Sequence, residues 1–402
     1  MRFISMVSIV LGLTFLISCI NYWLLSRWFF PGCGKKYGWL YVMMTGLLVV
    51  FYAISWRPGF APPAQDVFRY SAYFALVWLV GQLLLAIILP LIYGLHRLSS
   101  VKQAKRDQLT DGGGRQWTRR EFLHSAVAVT PLLAFGLSTK GVYEAESSIA
   151  MMRYPLYYPD LPINLEGYKI AQVSDSHLGT YFGLEKLEQI VKLLDFEKPD
   201  FIVITGDFVD SISLLPAALV KMNELQSRTP DGIYFCWGNH EYYRGINEIR
   251  AELQKSRLII LENSGKIIVP GPRPLYLMGA DYPFDGSVRY NAAKRQSFFE
   301  AMEAAAPSNA FTVMIAHHPD FLFDGFANKI PLTLAGHTHG GQVVIGGVPV
   351  SPLPYRYMRG LYQENQGYGY VSSGAGHWIP FRFGCPPEIS IFTLRKGAIS
   401  NG

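Results

Sequence analysis

Tyr168-Lys169-Ile170-Ala171-Gln172-Val173-Ser174-Asp175-Ser176-His177 is a short apolar run that ends in an Asp-x-His pair. Such a run predicts a buried strand with its polar pair at the C-terminal end. The same grammar recurs downstream. Residues 201–205 run into Gly206-Asp207-Phe208-Val209-Asp210, and residues 232–237 into Gly238-Asn239-His240-Glu241. Residues 311–316 lead to His317-His318-Pro319-Asp320, and residues 332–335 to Gly336-His337-Thr338-His339-Gly340-Gly341. In α/β sheets, loops from successive strands converge outside the carboxyl ends, and ligands bind there. Six of the nine histidines lie in these clusters, a concentration that core packing alone does not produce. Carboxylate, amide carbonyl and imidazole donors together suit a pair of borderline divalent cations (Mn, Fe or Zn) better than an all-oxygen Mg or Ca site.

The ordered set DxH, GDxxD, GNHE, HHP and GHTHGG resembles the calcineurin-like metallophosphoesterase family from Tyr168 to about Leu394. Within it the chain looks most like membrane-anchored or twin-arginine-exported bacterial members, including the closing Pro380-Phe381-Arg382-Phe383 and Pro386-Pro387-Glu388-Ile389. The resemblance implies an α/β fold, a four-layer α/β/β/α sandwich, with helices expected at 184–194, 214–226 and 292–305. It implies one metal held by Asp175, His177, Asp207 and His339, and a second by Asp207, Asn239, His317 and His337. Asp207 would bridge the two ions, as carboxylates do in two-metal hydrolases. His240 is then the expected general acid, oriented by Asp210. His318 and Asp320 are expected to be a loop histidine and a turn carboxylate, Asp281 a turn or cleft residue, and His377 a structural one. Gly340 and Gly341 are expected to permit the turn that brings the imidazoles inward. Tyr282, Phe284, Tyr355, Tyr357, Trp378 and Phe381 are expected to rim the cleft.

Upstream the sequence changes solvent. The chain of 402 residues is 50% hydrophobic and only 16% charged. Its mean hydropathy is +0.16, and the excess is concentrated in the first 140 residues. Stretches 3–25, 38–55 and 72–95 each approach the ~20 apolar residues that span a bilayer. A fourth, 125–137, follows Thr118-Arg119-Arg120-Glu121-Phe122-Leu123, which is similar to a twin-arginine export signal and equally fits an arginine pair before an ordinary helix. The expected organisation is three transmembrane helices in 1–97, a basic cytoplasmic linker in 98–121, a fourth transmembrane or signal-anchor helix in 122–140, a linker in 141–166, and the metallophosphoesterase domain in 167–396. Leu16-Ile17-Ser18-Cys19 has the look of a lipobox, against which the apolar run continues to Leu25.

Net charge is +6, but the basic residues concentrate in connecting segments: Arg27, Lys35 and Lys36, then Lys102, Lys105, Arg106, Arg115, Arg119 and Arg120. That distribution follows membrane topology and argues against nucleic acid as a partner. It places these loops in the cytoplasm and the catalytic domain outside, in a multi-pass protein of the inner membrane. The four cysteines have no paired spacing, against both a disulfide framework and a thiolate metal site. The expected activity is metal-dependent hydrolysis of phosphate mono- or diesters, lipid-linked or envelope-associated ones first among them. Two other readings stand beside it. A relative of this type cleaves a UDP-linked lipid A precursor at the cytoplasmic face, which would invert the topology. Alternatively the domain is a non-catalytic regulator of a membrane sensor or transporter, disfavoured because the three main spans lack charged or paired polar residues.

Overall fold

The computed structural model describes residues 2–28, 34–55, 64–104, 119–284, 290–350 and 355–398. The chain divides into two compact units, residues 1–143 and 144–402.

The first unit is helical: α1 (Arg2–Trp28), α2 (Gly34–Ser55), α3 (Ala64–Ala104) and most of α4 (Arg119–Ala145). Its outward surface is apolar. Leu16, Met43, Leu47, Phe74, Ile87 and Leu132 are each more than half exposed, which is the reverse of a helix bundle built for water. Among the described residues, Lys36–Ile54 and Asp66–Ile92 are long and apolar enough to cross a membrane, and Leu11–Arg27 is a shorter apolar helix. The linker expected at 98–121 is helical to Ala104, and its residues 105–118 lie outside the described residues. One expectation needs correction. The helices do carry a paired polar contact, because buried Asn21 donates from Nδ2 to Gln82 Oε1 at 3.1 Å and to Gln82 O at 2.7 Å, tying α1 to α3.

The second unit begins earlier than its motifs suggest. Residues 141–166, expected as a linker, hold the end of α4 and a nine-residue strand, β1 (Ala150–Tyr158). There follow β2 (Lys169–Val173), α5 (Leu184–Glu197), β3 (Phe201–Thr205), α6 (Leu215–Gln226), β4 (Ile233–Cys236), α7 (Asn239–Arg244), α8 (Ile246–Leu253), β5 (Ile259–Ile260), β6 (Ser264–Val269) and β7 (Leu275–Gly279). The remainder is α9 (Ala292–Glu303), β8 (Phe311–Ile315), α10 (Phe321–Ala327), β9 (Leu332–Ala335), β10 (Val344–Ile345), β11 (Val348–Pro349), β12 (Gly360–Glu364), β13 (Gly367–Val371) and β14 (Glu388–Lys396).

These strands form two six-stranded mixed sheets, ordered β1-β14-β2-β3-β4-β5 and β12-β13-β9-β8-β7-β6. In the first, β2, β3 and β4 are parallel neighbours, and β14 runs antiparallel to β2 and parallel to β1. In the second, β7, β8, β9 and β13 are parallel, with antiparallel strands at both edges. Parallel strands buried on both faces should be almost uniformly apolar, and Phe201-Ile202-Val203-Ile204 and Leu275-Tyr276-Leu277-Met278 are so.

Leu156, Ile170, Phe201, Val203 and Phe392 of the first sheet share one apolar cluster with Leu277, Phe311, Val313, Leu332 and Tyr370 of the second. Helices α5 and α6 contribute Leu187, Ile190, Leu219 and Met222 to a second cluster with Ile202 and Ile204 of β3. Helices α9 and α10 supply Phe299, Met302 and Phe321 to a third with Met278 and Met314. Gln172 adds a polar tie, its Nε2 donating to Thr205 Oγ1 and, across to the second sheet, to Ala335 O, each at 2.9 Å.

Candidate metal centre

Each chemistry-bearing motif starts where a parallel strand stops. Asp175 and His177 follow β2, Asp207 follows β3, Asn239 and His240 follow β4, His317 follows β8, and His337 and His339 follow β9. The backbone there is unusual: Asp175 (φ 52°), His177 (50°), Asp207 (50°), His337 (74°) and His339 (49°) all adopt left-handed conformations. Each costs on the order of 1 kcal/mol outside glycine, and such strain persists where the surrounding structure over-determines it. Here Asp175 N–H donates to Gly206 O at 3.1 Å and His177 N–H to Asp207 O at 3.0 Å, locking the loops together. Gly238 is needed for close approach, since a Cβ would strike the Asp207 carboxylate. Gly340 (φ 61°) serves the turn, and a Cβ there would meet Cys385 Sγ at 2.5 Å, so its smallness makes room for the protein's own packing.

Two donor groups result. In the first, His177 Nε2 and His339 Nε2 face each other at 3.0 Å, with Asp175 Oδ1 3.5 Å from His339 Nε2 and Asp207 Oδ2 3.8 Å from His177 Nε2. In the second, His317 Nε2 lies 3.1 Å from Asp207 Oδ2, 3.1 Å from Asn239 Oδ1 and 3.2 Å from His337 Nδ1. Asp207 thus belongs to both. All seven positions expected as ligands converge, and most are almost fully buried.

The arrangement fits divalent cations. Imidazole nitrogens pointed at one another and at carboxylates, out of water, are the donor chemistry of a metal site. The unused ring atoms are held as metal-binding histidines require. His317 Nδ1 faces Thr205 O at 2.8 Å, and His177 Nδ1 lies 3.2 Å from Asp210 Oδ2. His337 Nε2 lies 3.2 Å from the Tyr355 hydroxyl.

Burial works against the charged form of Asp207, yet His317, His240 and His177 outweigh it and hold this carboxyl well below its usual range. Burial likewise opposes charge on His317, but Asp207 and Asp175 lift it to about 10. Burial, then His317, pushes His337 down to about 3.

His240 stands beside the donors. Its Nδ1 is 2.7 Å from Asp210 Oδ1, which also accepts from Arg244 Nε at 2.9 Å, and its backbone N–H donates to Asp207 Oδ1 at 2.8 Å. One carboxylate, Asp210, therefore grips the Nδ1 sides of both His177 and His240. Tyr243, half exposed, and Trp378 approach the His240 ring at 5.5 and 6.0 Å between centroids, and Phe284 packs on Tyr243 at 5.6 Å.

Two supporting residues went unread in the sequence. Glu241, at the third position of α7, accepts from the N–H groups of Asp207, Phe208, Val209 and Gly238 at 2.7–3.2 Å. The capping pattern of α7 was the available signal. Arg382 is wholly buried; its Nη2 donates to Gly376 O at 2.6 Å and lies 3.1 Å from His339 Nδ1, while Nη1 donates to Cys385 O at 3.1 Å.

The remaining candidates have partners of their own, although the His318 ring lies 5.1 Å from that of His337. His318 stacks on Tyr290 at 3.9 Å and accepts from the Asp320 N–H at 3.2 Å. His377 is buried, with Nε2 3.0 Å from Glu146 Oε1. Asp281 accepts from the Tyr242 hydroxyl at 2.7 Å and from the Tyr282 N–H at 2.7 Å. Of the expected rim, Tyr282 lies 5.8 Å from His337, whereas Tyr357 is buried against Phe323 and Phe326.

Residues 168–341 match the calcineurin-like phosphoesterase family. An uncharacterized metallophosphoesterase of Helicobacter pylori (strain ATCC 700392 / 26695) is 32% identical over 285 residues, covering 69% of this chain and 72% of its own. The uncharacterized metallophosphoesterase YkuE of Bacillus subtilis (strain 168) is 27% identical, covering 70% of this chain and 99% of its own. A transmembrane protein with metallophosphoesterase domain from Bos taurus is 30% identical, covering 70% and 65%. The donor geometry and these relatives agree, and the chain belongs to the calcineurin-like metallophosphoesterases, metal-dependent hydrolases of phosphate esters.

Proposed function

We propose that this protein hydrolyses a lipid-linked or envelope-associated phosphate ester from a membrane-tethered dinuclear site. One ion would be held by Asp175, His177, Asp207 and His339, and the other by Asp207, Asn239, His317 and His337. The observation that carries this is the Asp207 carboxylate, whose one oxygen lies 3.1 Å from His317 Nε2 and 3.8 Å from His177 Nε2, between the two donor groups. Bound ions of this kind supply Lewis acidity toward water and toward the phosphoryl oxygens.

The chain's own residues do the rest. Burial disfavours the protonated imidazole of His240, but Asp210 and Asp207 overcome it and raise its pKa, which favours the protonated form. With Nδ1 bound to Asp210, its Nε2 proton is the one to give to the departing alkoxide. Asp210 is a positioning residue that fixes this tautomer. Tyr243, Trp378 and Phe284, around His240 on the leaving-group side, suit an ester whose leaving group is apolar or planar.

Membrane placement draws support from Lys36–Ile54 and Asp66–Ile92, two helices long enough to span. The outward apolar side chains of the helical unit support it too. The lysines and arginines of the connecting segments favour a catalytic domain outside the cytoplasm. The test is hydrolysis of p-nitrophenyl phosphate and bis-p-nitrophenyl phosphate by the full chain in detergent, metal-stripped and then titrated with Mn, Fe, Zn or Mg. Turnover restored by metal and lost in Asp207→Asn is the expected result. No turnover under any metal, from folded protein, would refute the reading.

A further inference from the structure

Just after His339 the chain makes a small hairpin, β10–β11, that the metal centre does not use. Its turn is Gly346-Gly347, both at positive φ (58° and 83°), with open space where side chains would be. Two such residues are the turn that matches strand twist. Its base is fixed: Val344 is buried and its N–H donates to Phe383 O at 2.7 Å, and Val350 N–H donates to Val343 O at 2.8 Å. Beyond that base Ile345 and Val348 point into solvent, exposed by 60% and 65%, and Val350 at the base is itself exposed by 56%. From Gly340 to Tyr355 the sequence carries no charged residue. A two-stranded ribbon has no core of its own to bury these groups, and an uncharged aliphatic knob marks a contact surface.

We propose that this hairpin dips into an anionic lipid bilayer and seats the metal centre at its surface. The inference deepens the membrane-tethered reading above and rests on it. Three observations favour lipid as the occupant. The same chain carries two helices long and apolar enough to cross a bilayer, so that surface is always at hand. The tip offers only aliphatic groups and glycine, without the Trp, Tyr or Arg anchors that dominate protein–protein contacts. Arg359 stands at the base, donating from Nη1 to Gly384 O at 3.1 Å, where a guanidinium complements lipid phosphates while the tip is in hydrocarbon.

The test uses the full chain in nanodiscs containing phosphatidylglycerol. An environment-sensitive fluorophore is placed at Val348→Cys, at Met43→Cys in α2, or at Lys192→Cys on the polar face of α5, with the unsubstituted chain labelled as the blank for native cysteines. The expected result is a blue shift and quenching by spin-labelled lipid at positions 348 and 43 and neither at 192. Quenching at 43 with position 348 behaving like 192 would overturn the hairpin proposal and leave the membrane reading standing. A label at 43 that stays in water would overturn both.

An activity arm uses Ile345→Asp with Val348→Asp. Hydrolysis of a phosphate ester embedded in the nanodisc should fall about tenfold, while the soluble p-nitrophenyl ester is turned over at the unsubstituted rate. Equal rates on the embedded ester, or an equal fall on both esters, would count against the proposal.

Discussion

The two sheets meet the metal centre with different chemistry. The first delivers both carboxylates, the amide carbonyl and one imidazole, as Asp175, Asp207, Asn239 and His177, whereas the second delivers only imidazoles, as His317, His337 and His339. Neither sheet holds a complete pair of donor sets. Anionic oxygens from one sheet and neutral or cationic nitrogens from the other meet at Asp207, so ions bound there would join the two sheets as well as activate substrate. The difference teaches which contacts belong to chemistry and which to assembly, and it can be broken at each place.

The sharpest break is at the shared carboxylate. Asp207→Asn should lower kcat roughly a thousandfold or more, as loss of a principal charge-stabilising group does. Metal analysis of the same variant should find fewer ions per chain, and wild-type content with wild-type rate would contradict the bridging role.

Next comes the joining of the two sheets. Metal at a thousand times its dissociation constant should stabilise the fold by about 4 kcal/mol. Calorimetry of the stripped and reloaded chain should show a raised Tm that Asp207→Asn abolishes.

His240→Ala tests the other side of the centre. It should reduce kcat by about a hundredfold for esters of poor leaving groups, and less for p-nitrophenyl esters, whose phenolate needs no acid. Metal content should not change, and a uniform loss across leaving groups would remove His240 from the proton transfer.

Smaller effects lie in the loops beside the centre, Glu241 after β4 of the first sheet and Asp281 after β7 of the second. Glu241→Gln turns an amide donor toward some of the four N–H groups that the carboxylate satisfies. It should cost about 2 kcal/mol in denaturant unfolding. Asp281, near the same edge, is raised to about 6, chiefly by burial and then by Glu262 charge, against hydrogen bonds from Tyr242 and Tyr282 and the cation of Arg250. A carboxyl raised on folding binds its proton more tightly in the native state. Its contribution is therefore full below its unfolded pKa and is lost as pH rises from about 4 to about 6, by at most about 3 kcal/mol. Asp281→Asn should flatten that segment of the stability profile measured by denaturant titration.

The sequence made the site legible because each ligand position is local: a parallel strand ends, and the next polar residues are the donors. The strands at 201–205 and 332–335 fall where the apolar runs put them. What escaped depends on distant partners. Strand β1 contains Pro155 and precedes Pro159, and punctuation of that kind reads as linker. It is a strand because it pairs with β14 at the sheet's edge, where proline is tolerated. Glu241 and Arg382 act on backbone groups contributed by separate loops, which no spacing rule reveals. The Gly346-Gly347 turn went unread in the sequence, and the outward direction of its aliphatic side chains exists only once Val344 is packed. In the helical unit, hydropathy located the helices but could not announce that Asn21 and Gln82 meet.

The most direct test of the dinuclear centre is a titration of the metal-stripped full chain with Mn2+, following hydrolysis of p-nitrophenyl phosphate against ions bound. Activity that stays low through the first equivalent and saturates near the second is the predicted result. Full activity in the stripped protein, or saturation at one ion with Asp207→Asn unimpaired, would contradict it.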